Sequence, residues 1–378
     1  MERYDAIVLG IGGVGSAALY HLAKRGVRAI GIDQFSPPHD RGSSHGDTRV
    51  IRQAYFEHSD YVPLLKEAYR LWDELETVAK QQLFHRVGLI EIGPPDGIVV
   101  PGVLRAAKEH GLQVESLSAG QFEQRWPGIR AGEDLVGLFE PAAGFLKVEE
   151  CVRSHLNAAR TAGAEVMTET EIRSWTASDG GVRVRTANGD EFVGNRLVIA
   201  AGAWAGRVLS ELNIRLTVLR KSLFWFATDD PRYDTASKLP VFLFELPDGV
   251  FYGFPKLDDR GVKLAEHSGG LLVADPLVVD RSIDPDEQGR LADFASQHLP
   301  GVSSRVADHV VCLYTMSPDE HFIVDRHPTH ENVVFAAGLS GHGFKFTPVL
   351  GRALADLAMD GGTGLPIKFL SLKRFAAL

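Results

Sequence analysis

The stretch Ala6-Ile7-Val8-Leu9-Gly10-Ile11-Gly12-Gly13-Val14-Gly15 decides the fold, together with the Ala29-Ile30-Gly31-Ile32-Asp33 that follows it. Four consecutive apolar residues suit a buried parallel strand. They lead into a complete G-x-G-x-x-G. Ala17, Ala18, Leu19, Leu22 and Ala23 then recur at helical spacing until Gly26 stops the helix. A second apolar strand ends in Asp33. Each part has a physical task. Gly10 permits the tight turn, Gly12 lets the backbone approach a pyrophosphate, and Gly15 lets the helix pack closely on the strand. The pyrophosphate rests on the positive end of the helix, and Asp33 falls where an acid accepts a hydrogen bond from a ribose hydroxyl. A glycine-rich turn alone is weak evidence. Strand, turn, helix, strand and acid in this order specify a Rossmann-type dinucleotide site. The motif leaves FAD and NAD both open, whereas Asp33 would repel the extra phosphate of NADP.

The far end of the chain answers this beginning. Asn332-Val333-Val334-Phe335-Ala336-Ala337-Gly338 reads as another buried strand closing on glycine. It runs into Leu339-Ser340-Gly341-His342-Gly343-Phe344-Lys345-Phe346, then into a helix carrying Val349, Leu350, Ala353, Leu354 and Leu357. Backbone amides in such a turn form a second anion site, with Gly341 and Gly343 closing what Gly10 opens. The glycine excess, 39 residues in 378, is thereby partly located.

Between the ends the texture changes. Helical stripes are expected over Tyr61–Leu75, Val148–Ala162 and Pro285–Leu299, and a hairpin over 181–193 that turns at Asn188-Gly189. Leu223-Phe224-Trp225-Phe226, Val241-Phe242-Leu243-Phe244 and Val250-Phe251-Tyr252-Gly253-Phe254 are aromatic and strand-like, reading as an antiparallel sheet. The fold class expected is α/β (α+β overall). A Rossmann-like domain formed by 1–85, 146–215 and 320–378 interleaves with an antiparallel-sheet substrate domain formed by 86–145 and 216–319. That layout suits a flavoprotein better than a two-domain nicotinamide dehydrogenase.

Composition narrows the function classes. With 40 basic and 49 acidic residues the net charge is −9, which disfavours binding to a phosphate backbone. Cys151 and Cys312 are the only cysteines, so neither a disulfide framework nor a zinc ribbon is available, and no metal site is expected. No apolar run reaches the ~18 residues of a membrane span. The start Met1-Glu2-Arg3-Tyr4-Asp5 lacks the features of a secretory signal, and Phe375-Ala376-Ala377-Leu378 is not a peroxisomal address. A cytoplasmic protein is expected. The polar segment Arg41–Arg52 admits two readings, a solvated loop or a cationic grip on an anionic substrate beside the cofactor.

Five blocks carry a resemblance: Gly42-Ser43-Ser44-His45-Gly46-Asp47-Thr48-Arg49 with Arg52; Tyr252-Gly253-Phe254-Pro255; Cys312-Leu313-Tyr314-Thr315; Pro318-Asp319-Glu320-His321-Phe322-Ile323-Val324-Asp325; and Ser340-Gly341-His342-Gly343-Phe344-Lys345. In this order, over almost the whole chain, they resemble the monomeric sarcosine oxidase family, which includes N-methyltryptophan and pipecolate oxidases. The resemblance implies FAD held through an 8α-S-cysteinyl bond at Cys312, with Ser43, Thr48 and Arg49 among the cofactor contacts. It implies that Arg52 and Lys345 bind the substrate carboxylate, and that His45 and Arg49 lie against the flavin. Lys263 matches the lysine that activates oxygen, His267 and Tyr252 line the substrate site, and Tyr314 stands behind them. Tyr55 and Leu243 border the substrate.

The implied reaction is oxidation of a secondary amino acid by hydride transfer, giving an imine that water hydrolyses, with O2 reduced to peroxide. The protein would be a monomer acting on a small amino acid. N-methyltryptophan, pipecolate or proline are alternative substrates, and a dehydrogenase passing electrons to another acceptor is the alternative class. The chain departs from the bacterial sarcosine oxidase pattern at three places. Ser44 replaces a histidine, Phe56-Glu57-His58 replaces a glycine-flanked acid, and Leu243 replaces a methionine. Substrate size is expected to turn on these positions.

Overall fold

The first apolar run forms β1 (Arg3–Leu9), the helix following the glycines is α1 (Gly13–Lys24), and the second run forms β2 (Ala29–Ile32). They belong to a computed structural model of the chain that describes residues 3–375. Met1, Glu2 and Ala376-Ala377-Leu378, on which part of the targeting argument rests, lie outside the described residues. β1 pairs in parallel with β2 and with Glu191–Ile199, aligning Ile7 with Ile30 and Leu197. Val333–Ala337 adds to the far side of Glu191–Ile199, again in parallel, with Leu197 opposite Val333. Glu165–Met167 extends the other edge beside β2. Alternate residues of β1 enter opposite cores. Ala6 and Val8 pack with α1, while Ile7 and Leu9 pack with Ile323, Val333 and Phe335. Burial on both faces explains the uninterrupted apolar run in the sequence.

The eight strands of this sheet come from 3–32, 165–199 and 323–337. A second sheet of nine strands is drawn from 89–140 and 217–316. Its strands run Leu271–Leu272, Thr217–Phe226, Val262–Glu266, Gly249–Phe254, Val241–Leu246, Leu89–Gly93, Val136–Glu140 and Glu115–Ser118, with Val306–Met316 also against Thr217–Phe226. The aromatic strands pair antiparallel as expected, and Val241–Leu246 in addition pairs in parallel with Leu89–Gly93. These last two strands come from separate segments of the chain, so no hairpin forces them to oppose. A third sheet of Thr48–Ile51, Gly144–Lys147 and Phe84–His85 completes the strands.

Three helices appear where apolar spacing places them: Tyr61–Ala79, Val148–Thr161 and Pro285–His298. The last long helix, Thr347–Asp360, packs against α1 so closely that a methyl on Gly351 would lie 2.6 Å from the Ala17 methyl. Thus the two ends of the sequence meet at the carboxyl ends of β1 and Val333–Ala337. Among the described residues no helix is long and apolar enough to cross a membrane.

Candidate active site

The carboxyl end of β1 opens into a long cleft bounded by Gly10, Gly12, Gly13 and Val14 on one side and by Ala336–Leu339, Gly341 and Gly343 on the other. Asp33, Ser43, Arg49, Cys312 and Tyr314 also line it. A dinucleotide fits these residues. A methyl on Gly12 would meet only Ser44 Oγ, at 3.7 Å, so the amino end of α1 is open to an approaching phosphate. Gly15 does not line the cleft; it lies behind it, where a methyl would sit 1.8 Å from the Gly10 carbonyl oxygen. Gly10 has a φ of +78°. Asp33 braces the turn by accepting from the Ile11 N–H at 2.8 Å through Oδ2, while Oδ1 accepts from Phe35 N–H at 3.0 Å. Ser43 Oγ donates to Leu313 O at 2.6 Å, tying the polar segment to the strand of Cys312.

Cys312 is buried, opposite Lys221 in the second sheet, and its sulfur receives a hydrogen bond from Arg49 Nη2 at 3.0 Å. Arg49 is fixed by two further donations, Nη1 to Thr48 O at 2.8 Å and Nη2 to Ser43 O at 3.2 Å. Cys151 stands apart in the core around Val152 and Leu156, where burial pushes its thiol well above its ordinary pKa.

A smaller cavity of about 60 Å3 adjoins the cleft and shares Arg49, Tyr314, Gly341 and Phe344 with it. Arg52, Phe56, Glu57, Leu243, Tyr252, His267, His342 and Lys345 are among its other walls. The second sheet supplies Leu243 and Tyr252 as direct cross-strand partners. Lys345 is buried, and its Nζ donates to His342 O at 2.9 Å and toward Tyr55 Oη at 3.5 Å. Burial, then the charge of Arg52, lowers its pKa to about 7. Arg52 is already paired, with Nη2 donating to both Glu57 oxygens at 2.9 and 2.8 Å and Nε donating to Glu91 at 2.9 Å. His267 Nδ1 lies 3.5 Å from Tyr314 Oη, and burial drives its pKa to about 3, leaving a neutral ring.

The structure therefore brings Arg49, Arg52, Leu243, Tyr252, His267 and Lys345 to one cavity. It does not bring every expected residue there. Tyr55 is fully buried behind Lys345, its Oη 2.6 Å from His342 Nδ1. His45 lines neither cavity; its Nε2 lies 3.2 Å from Gly42 O, and burial followed by the Arg49 charge lowers its pKa to about 3. Lys263 is also outside both. Its Nζ donates to the carbonyls of Gly46 and Thr48 and to Thr48 Oγ1, so Thr48 is a partner of Lys263 and not a wall of the cleft. Sequence reasoning missed Glu91, whose signal was an acid alone within the apolar strand Leu89-Ile90-Glu91-Ile92. It also set Tyr314 behind the site, whereas Tyr314 lines both cavities.

A glycine-framed dinucleotide cleft, with a cationic pocket opening from it, defines a dinucleotide-dependent oxidoreductase, and the family match makes the dinucleotide FAD. Residues 5–357 match the FAD dependent oxidoreductase family (DAO), and the chain belongs to it. It is 40% identical over 377 residues to the monomeric sarcosine oxidase of Bacillus sp. (strain B-0618), covering 98% of this chain and 96% of that one. It is 38% identical over 376 residues to the N-methyl-L-tryptophan oxidase of Salmonella dublin, covering 99% and 100%. Among solved structures, NikD, an unusual amino acid oxidase, shares the fold with a TM-score of 0.87 at 24% identity, covering 98% of each chain. The L-proline dehydrogenase of P. horikoshii does so with a TM-score of 0.84 at 19% identity, covering 100% of this chain and 98% of that one.

Proposed function

We propose that this chain oxidises the N-methyl C–N bond of a small N-methyl amino acid, sarcosine being the simplest. The products are the demethylated amino acid, an aldehyde and hydrogen peroxide, with O2 and water consumed. FAD, when bound, supplies the two-electron acceptor; we assign its attachment to a thioether at Cys312, the cleft-lining cysteine that Arg49 contacts. We assign cofactor binding to residues 1–85, 146–215 and 320–378, and the substrate pocket largely to 86–145 and 216–319. The protein works as a cytoplasmic monomer in this reading, and "monomeric" stands in the name of the Bacillus relative.

The observation that carries the substrate class is the pair of buried cations, Arg52 and Lys345, on a cavity that opens to the cofactor cleft. Together they clamp a carboxylate through charge-assisted hydrogen bonds. A carboxylate that takes Arg52 Nη2 must displace Glu57. Holding the carboxylate fixes the direction of the neighbouring amine and its C–H bonds, which lowers the entropic part of the barrier. Arg49, Arg52 and Lys345 surround the amine with positive charge while His267 stays neutral, so the unprotonated amine that oxidation requires is favoured. The cavity is small, about 60 Å3, with Phe56 and Leu243 among its walls, which supports an amino acid of a few heavy atoms over one bearing an indole.

Lys263 is the residue we assign to oxygen activation, as a buried amine beneath the Gly46–Thr48 segment. A peroxide-coupled screen of sarcosine, N-methyltryptophan, pipecolate, proline and N-methylalanine tests the whole reading. Sarcosine turnover with stoichiometric peroxide is expected. Activity confined to primary amino acids would overturn the substrate class, and dye reduction without peroxide would overturn the acceptor.

A further inference from the structure

Arg52 is boxed in. Its guanidinium lies 4.4 Å from the ring centroids of both Tyr55 and Phe56. Nη2 is taken by Glu57 and Nε by Glu91 Oε1. Nη1 is buried with no hydrogen-bond partner among the described residues, and so is Glu91 Oε2. The two acids differ in kind. Glu57 sits on a loop and lines the substrate cavity, so an incoming ligand reaches it. Glu91 is fully buried, off the cavity, in the middle of the nine-stranded sheet. There it stands opposite Leu243, and Leu243 opposite Tyr252, so one row of the sheet carries both the cavity wall and this acid.

With Arg52 taken as carboxylate ligand, the reading on which this rests, the geometry points to Glu91 as a positioning residue for substrate recognition. Glu91 holds Arg52 by Nε while the substrate carboxylate takes the orphaned Nη1 and the Nη2 that Glu57 gives up. A hydrophobic residue at 91 would leave Nε buried and unpaired, at a large cost in recognition. Glu91 must also avoid cancelling the charge it positions. Burial raises its pKa to about 8 against the opposing charge of Arg52, with Glu140 and Glu57 raising it further and Lys345 lowering it. Near neutral pH it therefore accepts from Nε as an uncharged acid, and Oε2 is free to keep the proton. As pH rises past about 8, ionised Glu91 neutralises Arg52 and substrate affinity falls.

The experiment follows binding of propionate, a carboxylate without an amine, to the holoenzyme through the visible flavin spectrum across neutral to alkaline pH. In the wild type the slope of log Kd against pH approaches two, one proton each from Lys345 and Glu91. Glu91→Gln keeps an acceptor for Nε but cannot ionise, so its Kd near pH 7 stays close to wild type and its slope approaches one. Its Kd at pH 9 is then about tenfold lower than the wild type's. Glu91→Leu, which also cannot ionise, weakens propionate about tenfold or more near pH 7 and likewise shows a slope near one. A Glu91→Gln profile parallel to wild type overturns the inference even where Arg52→Met abolishes binding. If Arg52→Met leaves propionate binding unchanged, the carboxylate clamp itself fails, and Glu91 with it.

Discussion

Two glycines three residues apart make opposite predictions for the same substitution. Gly15→Ala would place a methyl 1.8 Å from the Gly10 carbonyl oxygen and 3.3 Å from the Ala200 methyl. The clash is with a backbone carbonyl, so no neighbouring side chain can relieve it by swinging aside, and α1 must move off β1 by more than an ångström. Overpacking of this kind costs about 3 kcal/mol, which in a chain of this size lowers Tm by about 4 °C. Gly12→Ala meets nothing closer than 3.7 Å, so the protein itself tolerates it. The new methyl would instead point where the pyrophosphate must approach. Losing one charge-assisted N–H contact and part of the helix-end field amounts to about 3 kcal/mol, or roughly 100-fold in affinity. The assay pairs calorimetric melting with the ratio of flavin to protein. Gly15→Ala should melt early, and Gly12→Ala should melt near the wild-type apoprotein while carrying far less flavin. A Gly12→Ala protein with full flavin content would falsify the placement of the pyrophosphate, and a Gly15→Ala protein of unchanged Tm would refute the packing argument.

Lys345→Met removes one of the two cations and should raise KM for a carboxylate substrate roughly 10- to 150-fold, from a charged hydrogen bond of about 1.5–3 kcal/mol, with kcat changed less. Because only protonated Lys345 carries charge and its pKa is about 7, the variant should also lose the rise in wild-type KM that begins near that pH. Acid precipitation of the wild type should give a yellow pellet; Cys312→Ser should leave its flavin in the supernatant, and a yellow Cys312→Ser pellet would locate the bond elsewhere. Phe56→Ala should shift kcat/KM about tenfold or more from sarcosine toward bulkier N-methyl amino acids, which a matched substrate series reads directly. His45 and His155 are buried and neutral with pKa values near 3, against about 6.5 when unfolded. The unfolded chain thus binds more protons below 6.5, and stability should fall by about 2 kcal/mol per histidine between pH 7 and 5. Denaturant titrations showing equal stability at the two pH values would contradict this.

The dinucleotide cleft was largely legible because local patterns encode it. A buried parallel strand announces itself as an apolar run, and a glycine turn can be read without knowing what packs on it. The strands at Leu89–Gly93, Glu115–Ser118 and Val136–Glu140 were not anticipated, because their place is set by neighbours from a distant segment. Glu91 shows the same limit at single-residue scale. Its strand looks apolar except for one acid, and only pairing across the sheet reveals that this acid reaches Arg52. Motif matching brought Arg49, Arg52 and Lys345 to the cavity, whereas His45, Thr48 and Lys263 occupy a layer behind it. Sequence order cannot distinguish a wall from its support.

The meeting of the two chain ends has a consequence in time. α1 emerges from the ribosome early, but the Gly341–Gly343 turn and the helix of Gly351 follow only after roughly 330 further residues, about half a minute at about 5–20 residues per second. Until then the first βαβ unit shows bare apolar faces and half a cradle. Until that turn is made the nascent chain cannot close its cleft around the flavin, so cofactor capture follows synthesis of the last glycine turn and its helix. Chains stalled before the last glycine turn should therefore be colourless and dependent on chaperones.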